Sequence, residues 1–422
     1  MIDQRPKVSN RPKVSNRPKV SNRPEARSRA WLGAAVLACT ALLGGACSSD
    51  DGGSADTSGP DDTSTGDELT AEEAEPVAAH YADGVYASYQ ASIASATELQ
   101  AALAEFTENP TEESLRAAKD QWLTARDDYG PTEAFRFYDG PIDDPETGPE
   151  GQINAWPMDE AYVDYVEGDP DAGIINNPTD YPEITTEVLV ESNEQGGETN
   201  ISTGWHAIEF LLWGQDLSET GPGERPLTDY TTSPVAERRA TYLNLLADLL
   251  VADLSAVAEQ WNPEGADNYR AEFLADPVQA VSHMFRGIGA LTVGELGGER
   301  IAVAIETVDQ EDEHSCFSDN TNADVHNNAL GVQWVYLGTY PGIEDGPGLD
   351  TLVEAVDPQL NTELTAQIDS TVTMTSEYPT TFDQMLSGDT TPLEDTVTAL
   401  DTQGELIADA ADQLGISVEL GV

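Results

Sequence analysis

Apolar residues recur at three- and four-residue intervals along most of the chain, the spacing of one face of an α-helix. In residues 111–128, for example, Leu115, Ala118, Trp122 and Ala125 fall on one face. The same spacing marks other long segments, at residues 71–108, 235–261, 277–307, 360–385 and 393–414. Strand-like alternation is nearly absent, and residues 188–190 are too short to change that. The pattern predicts an all-α protein.

Polar stretches rich in glycine, proline and aspartate separate these helices, at residues 139–151, 167–181, 191–203, 214–233 and 338–348. Loops of this length in a compact protein are often functional. Residues His206–Gly214 and Leu330–Gly338 also align with each other, which pairs Glu209 with Gln333. We therefore predict two tandem, pseudo-duplicated helical bundles with long loops. The N-terminal bundle would span residues 71–233 and the C-terminal bundle residues 234–422.

The N-terminal residues, 1–46, do not have the composition of a folded domain. They contain the basic hexamer RPKVSN three times in tandem, then an apolar run of 17 residues at 30–46. A basic region followed by an apolar run and small residues is typical of a secretory signal peptide. Cys47 and the acidic Ser/Gly/Asp stretch at 47–70 resemble the lipidation site and tether of a bacterial lipoprotein, with Cys39 as the alternative site. These features predict an exported cell-envelope lipoprotein, facing the periplasm or the outer membrane, that contacts the membrane through a lipid anchor only.

The chain is strongly acidic, with 78 acidic and 19 basic residues and a formal net charge of −59. Repulsion from phosphates excludes nucleic acid as a partner. Such a charge keeps a protein soluble in high salt and attracts cations non-specifically, so a saline habitat explains it without any acidic function. If Cys47 carries the lipid and residues 1–46 are removed, Cys316 is the only other cysteine, and an intramolecular disulfide is not expected.

His206 and Glu209 lie three residues apart in the otherwise apolar segment GWHAIEFLLWG. Residues at this spacing share one helix face, with Cβ atoms about 5–6 Å apart. The pair can bind one metal ion, share one proton, or hydrogen-bond to each other in a core. It is not the HExxH motif of zinc peptidases. Zinc, iron and copper all accept nitrogen and oxygen ligands of this kind, and the spacing does not choose among them.

The chain resembles the imelysin family, specifically its iron-regulated branch, from Ala71 to Val422. Gly204, His206 and Glu209 fit the GxHxxE motif of that family. The long block GELGGERIAVAIETVDQEDEHSCFSDNT at residues 294–321 is more specific still. A third match comprises Trp122, Arg126, Tyr129, Glu133 and Arg136. One departure is Asn322, where the family pattern has histidine.

The resemblance implies a cleft between two helical bundles, faced by the GxHxxE helix and lined by Arg126, Arg136 and Trp205. It also implies an envelope location and a link to iron acquisition. Further candidate ligands are Glu295 and Glu299, four residues apart, which could otherwise form a charged helix face. Glu133 is a ligand candidate or the ion-pair partner of Arg136. His314, Asp319 and Asn320 lie in a polar stretch typical of a turn.

These observations predict an exported lipoprotein that binds a metal ion or small ligand. The predicted metal is iron, with zinc as the alternative. The predicted ligand set is His206, Glu209, Glu133, Glu295 and Glu299. Two other functions remain open: a zinc metallopeptidase of the imelysin type, and a structural or adhesive acidic surface protein. A peptidase would need a general base and an oxyanion stabiliser beside the metal.

Overall fold

Helices dominate the part of the chain that the computed structural model describes, residues 69–218 and 220–418, and no strand occurs there. The all-α prediction is confirmed. The leader, Cys47 and the tether up to residue 68 lie outside the described residues. The α-helices are α1 (Ala71–Glu108), α2 (Glu112–Tyr129), α3 (Glu150–Ile153), α4 (Glu160–Val163), α5 (Gly173–Asn176), α6 (Thr186–Ser192), α7 (Gly204–Trp213), α8 (Thr228–Thr231), α9 (Ala236–Gln260), α10 (Tyr269–Ala275), α11 (Pro277–Ala290), α12 (Val303–Thr307), α13 (Thr321–Leu337), α14 (Leu349–Val356), α15 (Pro358–Ser376), α16 (Phe382–Ser387) and α17 (Thr391–Gln413).

The first two helices begin at side chains that bond to the free amides of the first turn. Thr70 accepts a hydrogen bond from the amide of Glu73, whose carboxylate accepts one from the amide of Thr70. Thr111 and Ser114 form the same reciprocal arrangement at the start of α2. Each such cap contributes about 1 kcal/mol to helix stability. The caps fix the residues at which both helices begin.

A first group of helices consists of α1, α2, α7 and α9, which pack along one another. α7 is buried at all ten positions, and the indole Nε1 of Trp122 on α2 donates to the backbone oxygen of Trp205, 3.1 Å away. α9 is long and apolar enough to cross a membrane by length and composition, as core helices also are, and it lies against α1 and α7. α9 thus packs with helices that precede residue 233. The predicted boundary and the duplication stay predictions.

A second group contains α11, α13, α15 and α17. The helix predicted at 277–307 is not continuous: α11 passes into a π-helical segment, Leu291–Ala302, before α12 resumes. π-helical turns are rare and often occur at functional sites. This one carries three residues of interest, Glu295, Glu299 and Arg300. α13 packs against both this segment and the 3₁₀ turn Gly130–Phe135 that follows α2.

Candidate functional site

The GxHxxE helix α7 begins at a glycine that the surrounding backbone requires. Gly204 has a φ of +85°, and a Cβ built on it would lie 2.5 Å from the backbone oxygen of Ile153. Only glycine combines this left-handed conformation with such a close approach. Gly204 therefore lets the chain turn directly into α7 while α7 stays against α3.

His206 and Glu209 are hydrogen-bonded to each other on α7, with Nδ1 and Oε2 3.0 Å apart. The other carboxylate oxygen of Glu209 accepts from the amide of Ser318 at 2.9 Å and from its hydroxyl at 2.6 Å. Nε2 of His206 is buried and has no hydrogen-bond partner in the described structure. Of the three arrangements left open by the spacing, direct hydrogen bonding is the one observed. It leaves one ring nitrogen of His206 for a ligand.

Burial sets the protonation of this pair. It lowers the pKa of His206 well below its ordinary value and raises the pKa of Glu209 well above its own, although the two Ser318 hydrogen bonds act against the latter shift. Both shifts favour the uncharged forms. A neutral imidazole is the form that binds a metal ion.

His314 lies beside His206, with the ring centroids 4.7 Å apart. Its Nδ1 lies 2.9 Å from Oδ2 of Asp324, and Oδ1 of the same carboxylate accepts from Nε of Arg126 at 3.0 Å. Burial opposes ionisation of Asp324, but Arg126 and His314 hold the pKa of that carboxyl well below its usual range. Burial and the charge of Arg300 lower the pKa of His314 to about 4. Each imidazole is thus held through Nδ1 by the side chain of an acidic residue, His206 by Glu209 and His314 by Asp324.

The turn expected around His314 is present, since Ser315 and Asp319 both have positive φ. Sequence reasoning nevertheless missed the contact of His314 with His206. The available signal was the long block at residues 294–321, which contains His314. Asp324 and Ser318 are two further functional neighbours that no local pattern predicted, because each meets its partner only through the tertiary fold.

Glu133 is enclosed by cations rather than by other carboxylates. Its Oε2 accepts from Nη1 of Arg136 at 2.9 Å and from Nη2 of Arg300 at 2.7 Å. Its Oε1 accepts from the side-chain amide, Nδ2, of Asn154 at 3.0 Å. The predicted Glu133–Arg136 ion pair is therefore present, and Arg300 joins it. Burial opposes ionisation, yet the two guanidiniums hold the pKa of Glu133 far below its usual range.

The remaining predicted ligands lie near this cluster. Glu295 accepts from Nη2 of Arg300 at 3.1 Å, so Glu133 and Glu295 share one arginine. Glu299 is exposed and lies on the adjoining cleft. The structure therefore brings His206 and Glu209 together as one pair, and Glu133 and Glu295 together around Arg300.

A cleft of about 450 Å³ is lined by Glu295 and Arg300 of the Glu133 cluster and by His314, the neighbour of His206. The side chains of His206, Glu209 and Glu133 lie behind this lining. Its acidic lining residues are Glu150, Glu194, Glu198, Glu295, Glu299 and Asp312. Its inner wall includes Asn154, Trp156, His314, Arg136 and Arg300. Of the three residues predicted to line a cleft, Arg136 does so, whereas Arg126 and Trp205 lie behind it. Both are buried because Trp205 packs edge-on against Trp122 and Arg126 pairs with Asp324.

Comparison with known proteins decides the family. Residues 85–411 match the sequence profile of the family described as Imelysin. The chain belongs to the imelysin family. The resemblance inferred from GxHxxE and the block at 294–321 is confirmed.

Three proteins illustrate the similarity of this imelysin-family chain to known proteins. Iron-regulated protein A of Synechococcus elongatus is 27% identical over 264 residues, which cover 60% of this chain and 61% of that protein. A crystal structure from Parabacteroides distasonis, named as an iron-regulated protein A precursor, has a TM-score of 0.66 at 19% identity and covers 83% of this chain and 97% of its own. An imelysin-like protein from Psychrobacter arcticum has a TM-score of 0.60 at 15% identity, covering 83% and 98%. The two structures show the shared fold.

The side chains of this imelysin-family site have the donor types of a nitrogen- and oxygen-liganded metal. The buried Nε2 of His206 lacks a partner, a second imidazole adjoins it, and carboxylates line the cleft beyond. Within residues 69–218 and 220–418, however, no group of three or more His, Cys, Asp or Glu side chains is already arranged to hold a metal ion. The residues present thus fit the chemistry of a metal ligand set without forming a closed cage.

Proposed function

We propose that this imelysin-family protein is an exported, lipid-anchored protein of the cell envelope that binds a metal ion, iron, beside the His206–Glu209 pair. The observation that carries the proposal is the buried, unpartnered Nε2 of His206. A buried polar atom normally has a partner, and a ligand at this nitrogen would supply one.

The contacts of His206 support a metal as that ligand. Metal-binding histidines usually donate their other ring nitrogen to a carboxylate, which fixes the ring and raises its basicity. Glu209 stands in this position, 3.0 Å from Nδ1, and Ser318 fixes Glu209 in turn. We assign His206 as the ligand, Glu209 as its positioning residue, and His314, held by Asp324, as the neighbouring second imidazole.

The acidic lining of the cleft supports a cation as the species that enters. Six carboxylates border it, and a cleft lined by one sign of charge raises the local concentration of the opposite ion. Imidazole and carboxylate donors suit iron. The name of the Synechococcus elongatus relative, an iron-regulated protein, favours iron over zinc in this proposal.

Export and anchoring rest on the sequence of residues 30–47. An apolar run and small residues precede Cys47, and an acidic tether follows it. Together these are the parts of a lipoprotein signal. Cys47→Ala should abolish lipid labelling of the protein in cells. Labelling that persists in this variant and disappears with Cys39→Ala would move the anchor to Cys39.

The metal site is tested on the full-length protein purified in detergent and loaded with ferrous or ferric iron. Wild type should retain one iron per chain after gel filtration, His206→Ala should lose it, and Glu209→Gln should bind it more weakly. His283→Ala is the matched control, since His283 is a half-buried histidine that lines a different cavity.

Equal iron content in wild type and His206→Ala would overturn the proposed site. The same samples are assayed for cleavage of an unfolded protein substrate. Metal-dependent cleavage that both site variants abolish would replace iron binding with a peptidase function.

A further inference from the structure

The cleft does not extend to His206, although that residue carries the proposed site. His206 is 1% exposed, its Nε2 is buried, and it is not among the residues that line the cleft. Two side chains line the cleft and also lie against the His206 ring, Trp156 and His314. A ligand that moves from the cleft to Nε2 therefore has to pass these two rings.

The ring of His314 is fixed by hydrogen bonds. Its Nδ1 lies 2.9 Å from Oδ2 of Asp324, and Nε of Arg126 donates to the other oxygen of that carboxylate at 3.0 Å. All three side chains are buried. Hydrogen bonds to an ionised partner are among the strong ones, so His314 is expected to keep its place when a ligand arrives.

Trp156 has no comparable restraint. Its ring centroid lies 4.7 Å from that of His206, 5.6 Å from that of Phe317 and 6.3 Å from that of His314. Its Nε1 is buried and has no hydrogen-bond partner within the described residues, although the side chain as a whole is only half-buried. A buried N–H without a partner is costly. Rotation of the indole into the cleft would expose Nε1 to water and offset part of the lost ring contacts, so Trp156 is the ring that can move.

We propose that Trp156 determines which ligands reach His206, because it covers the imidazole on the cleft side and moves aside to admit a small ion. The identity of that ion rests on the proposed function, whereas the cover itself does not depend on which ligand Nε2 takes. Ligands too bulky to share the space with the indole, such as a peptide or a large metal chelate, are kept from Nε2. The species selected is a small cation without a bulky chelator.

Acylation by diethyl pyrocarbonate measures access to Nε2 without any metal. The reagent modifies neutral imidazoles, which predominate at about pH 7.5, and peptide mass spectrometry of the full-length protein in detergent gives the rate at each histidine. A minor open state populated to about a tenth or less limits the rate in wild type. We therefore expect His206 to react roughly tenfold or more faster in Trp156→Ala than in wild type. Trp156→Phe, with a smaller ring, should give an intermediate rate.

Trp334→Ala is the matched control. Trp334 is also a half-buried tryptophan, but it lies on α13 and is not among the residues that line the cleft, so its removal should leave the rate at His206 unchanged. His283 lines a different cavity and serves as the internal reference, with one expected rate in every variant. If Trp156→Ala loosens the whole fold, His283 also reacts faster, and the rate at His206 in Trp156→Phe then decides. Equal rates at His206 in wild type and both Trp156 variants would overturn the proposal.

The rate of iron uptake connects the cover to the proposed function. Trp156→Ala should take up iron faster than wild type and reach the same content per chain. The gain should be smaller for iron than for the reagent, because a small ion needs less displacement of the ring, and equal gains would overturn the size selection. If wild type binds no iron but the difference in acylation persists, the proposed function fails and the cover stands.

Discussion

Replacing Glu133 by glutamine tests whether the cluster beneath the cleft is held by buried charge. The substitution keeps the shape of the side chain and removes the charge that faces Arg136 at 2.9 Å and Arg300 at 2.7 Å. Removing one partner of a buried ion pair costs about 3–5 kcal/mol, because the other charge stays buried and uncompensated. Glu150 and Glu295 remain beside the two guanidiniums. We therefore expect the lower end, a loss of about 3 kcal/mol of unfolding free energy.

Urea denaturation, followed by circular dichroism on the full-length protein, measures this loss. Glu299→Gln is the matched control: it makes the same chemical change at an exposed position on the same cleft and should cost less than about 0.5 kcal/mol. Iron content is measured on both variants. Because both oxygens of Glu133 already accept hydrogen bonds, Glu133→Gln should bind as much iron as wild type.

The pH dependence of the same measurement supplies a second test. The pKa of Glu133 is lowered in the folded state from a value of 4.5, so its stabilising effect is fully present above pH 4.5 and decreases as the pH falls below it. The difference between wild type and Glu133→Gln should stay constant from pH 6 to 8 and narrow below about pH 4.5. A cost as small as that of Glu299→Gln, or a difference that grows in acid, would refute the buried-charge argument.

Two further predictions follow from single residues. Burial raises the pKa of Asp253 on α9 from 3.8 to about 6, so ionisation of this side chain destabilises the folded state as the pH rises. Asp253→Asn should therefore stabilise the protein by about 1 kcal/mol at pH 8 and have no such effect below pH 4. Urea midpoints at both pH values measure the change, and equal effects at both would contradict the prediction. Gly204→Ala should lower the unfolding free energy by about 2 kcal/mol or more. The control is Gly168→Ala, which should cost less, because Gly168 has a similar φ of +86° but no atom within 4 Å of an added Cβ. Equal losses of stability in thermal melts would show that the contact with Ile153 does not matter.

The helices were predictable where amphipathic spacing and end signals agree. The predicted segment 71–108 coincides with α1, and the predicted segment 111–128 corresponds to α2, which Thr111 caps. The segment 277–307 has the same spacing but contains the π-helical stretch Leu291–Ala302. Apolar periodicity does not separate a π-helical insertion from a continuous α-helix, because both keep one face towards the core.

The candidate site was predictable in part. The spacing of His206 and Glu209 on one helix is a local property, so the sequence indicated the pair. Ser318 meets Glu209 across 109 residues of chain, and Arg300 meets Glu133 across 167. Such contacts depend on how helices pack, which composition and spacing do not encode. The sequence therefore does not distinguish Glu133 from Glu209 as a ligand, whereas the fold places Arg300 beside Glu133.

The buried hydrogen bonds also limit which of the predicted ligands can reach a metal ion. To bind a metal, Glu133 would have to leave two guanidiniums, at a cost of about 3 kcal/mol or more, and Glu209 would have to release Ser318 and His206. Nε2 of His206 has no bond to break, and exposed Glu299 has no buried charge to abandon. We therefore expect a metal ion to bind through Nε2 of His206 and through exposed carboxylates of the cleft, such as Glu299. On this argument we expect the buried acidic side chains of Glu133 and Glu209 to position the arginines and the imidazole rather than to bind the metal ion.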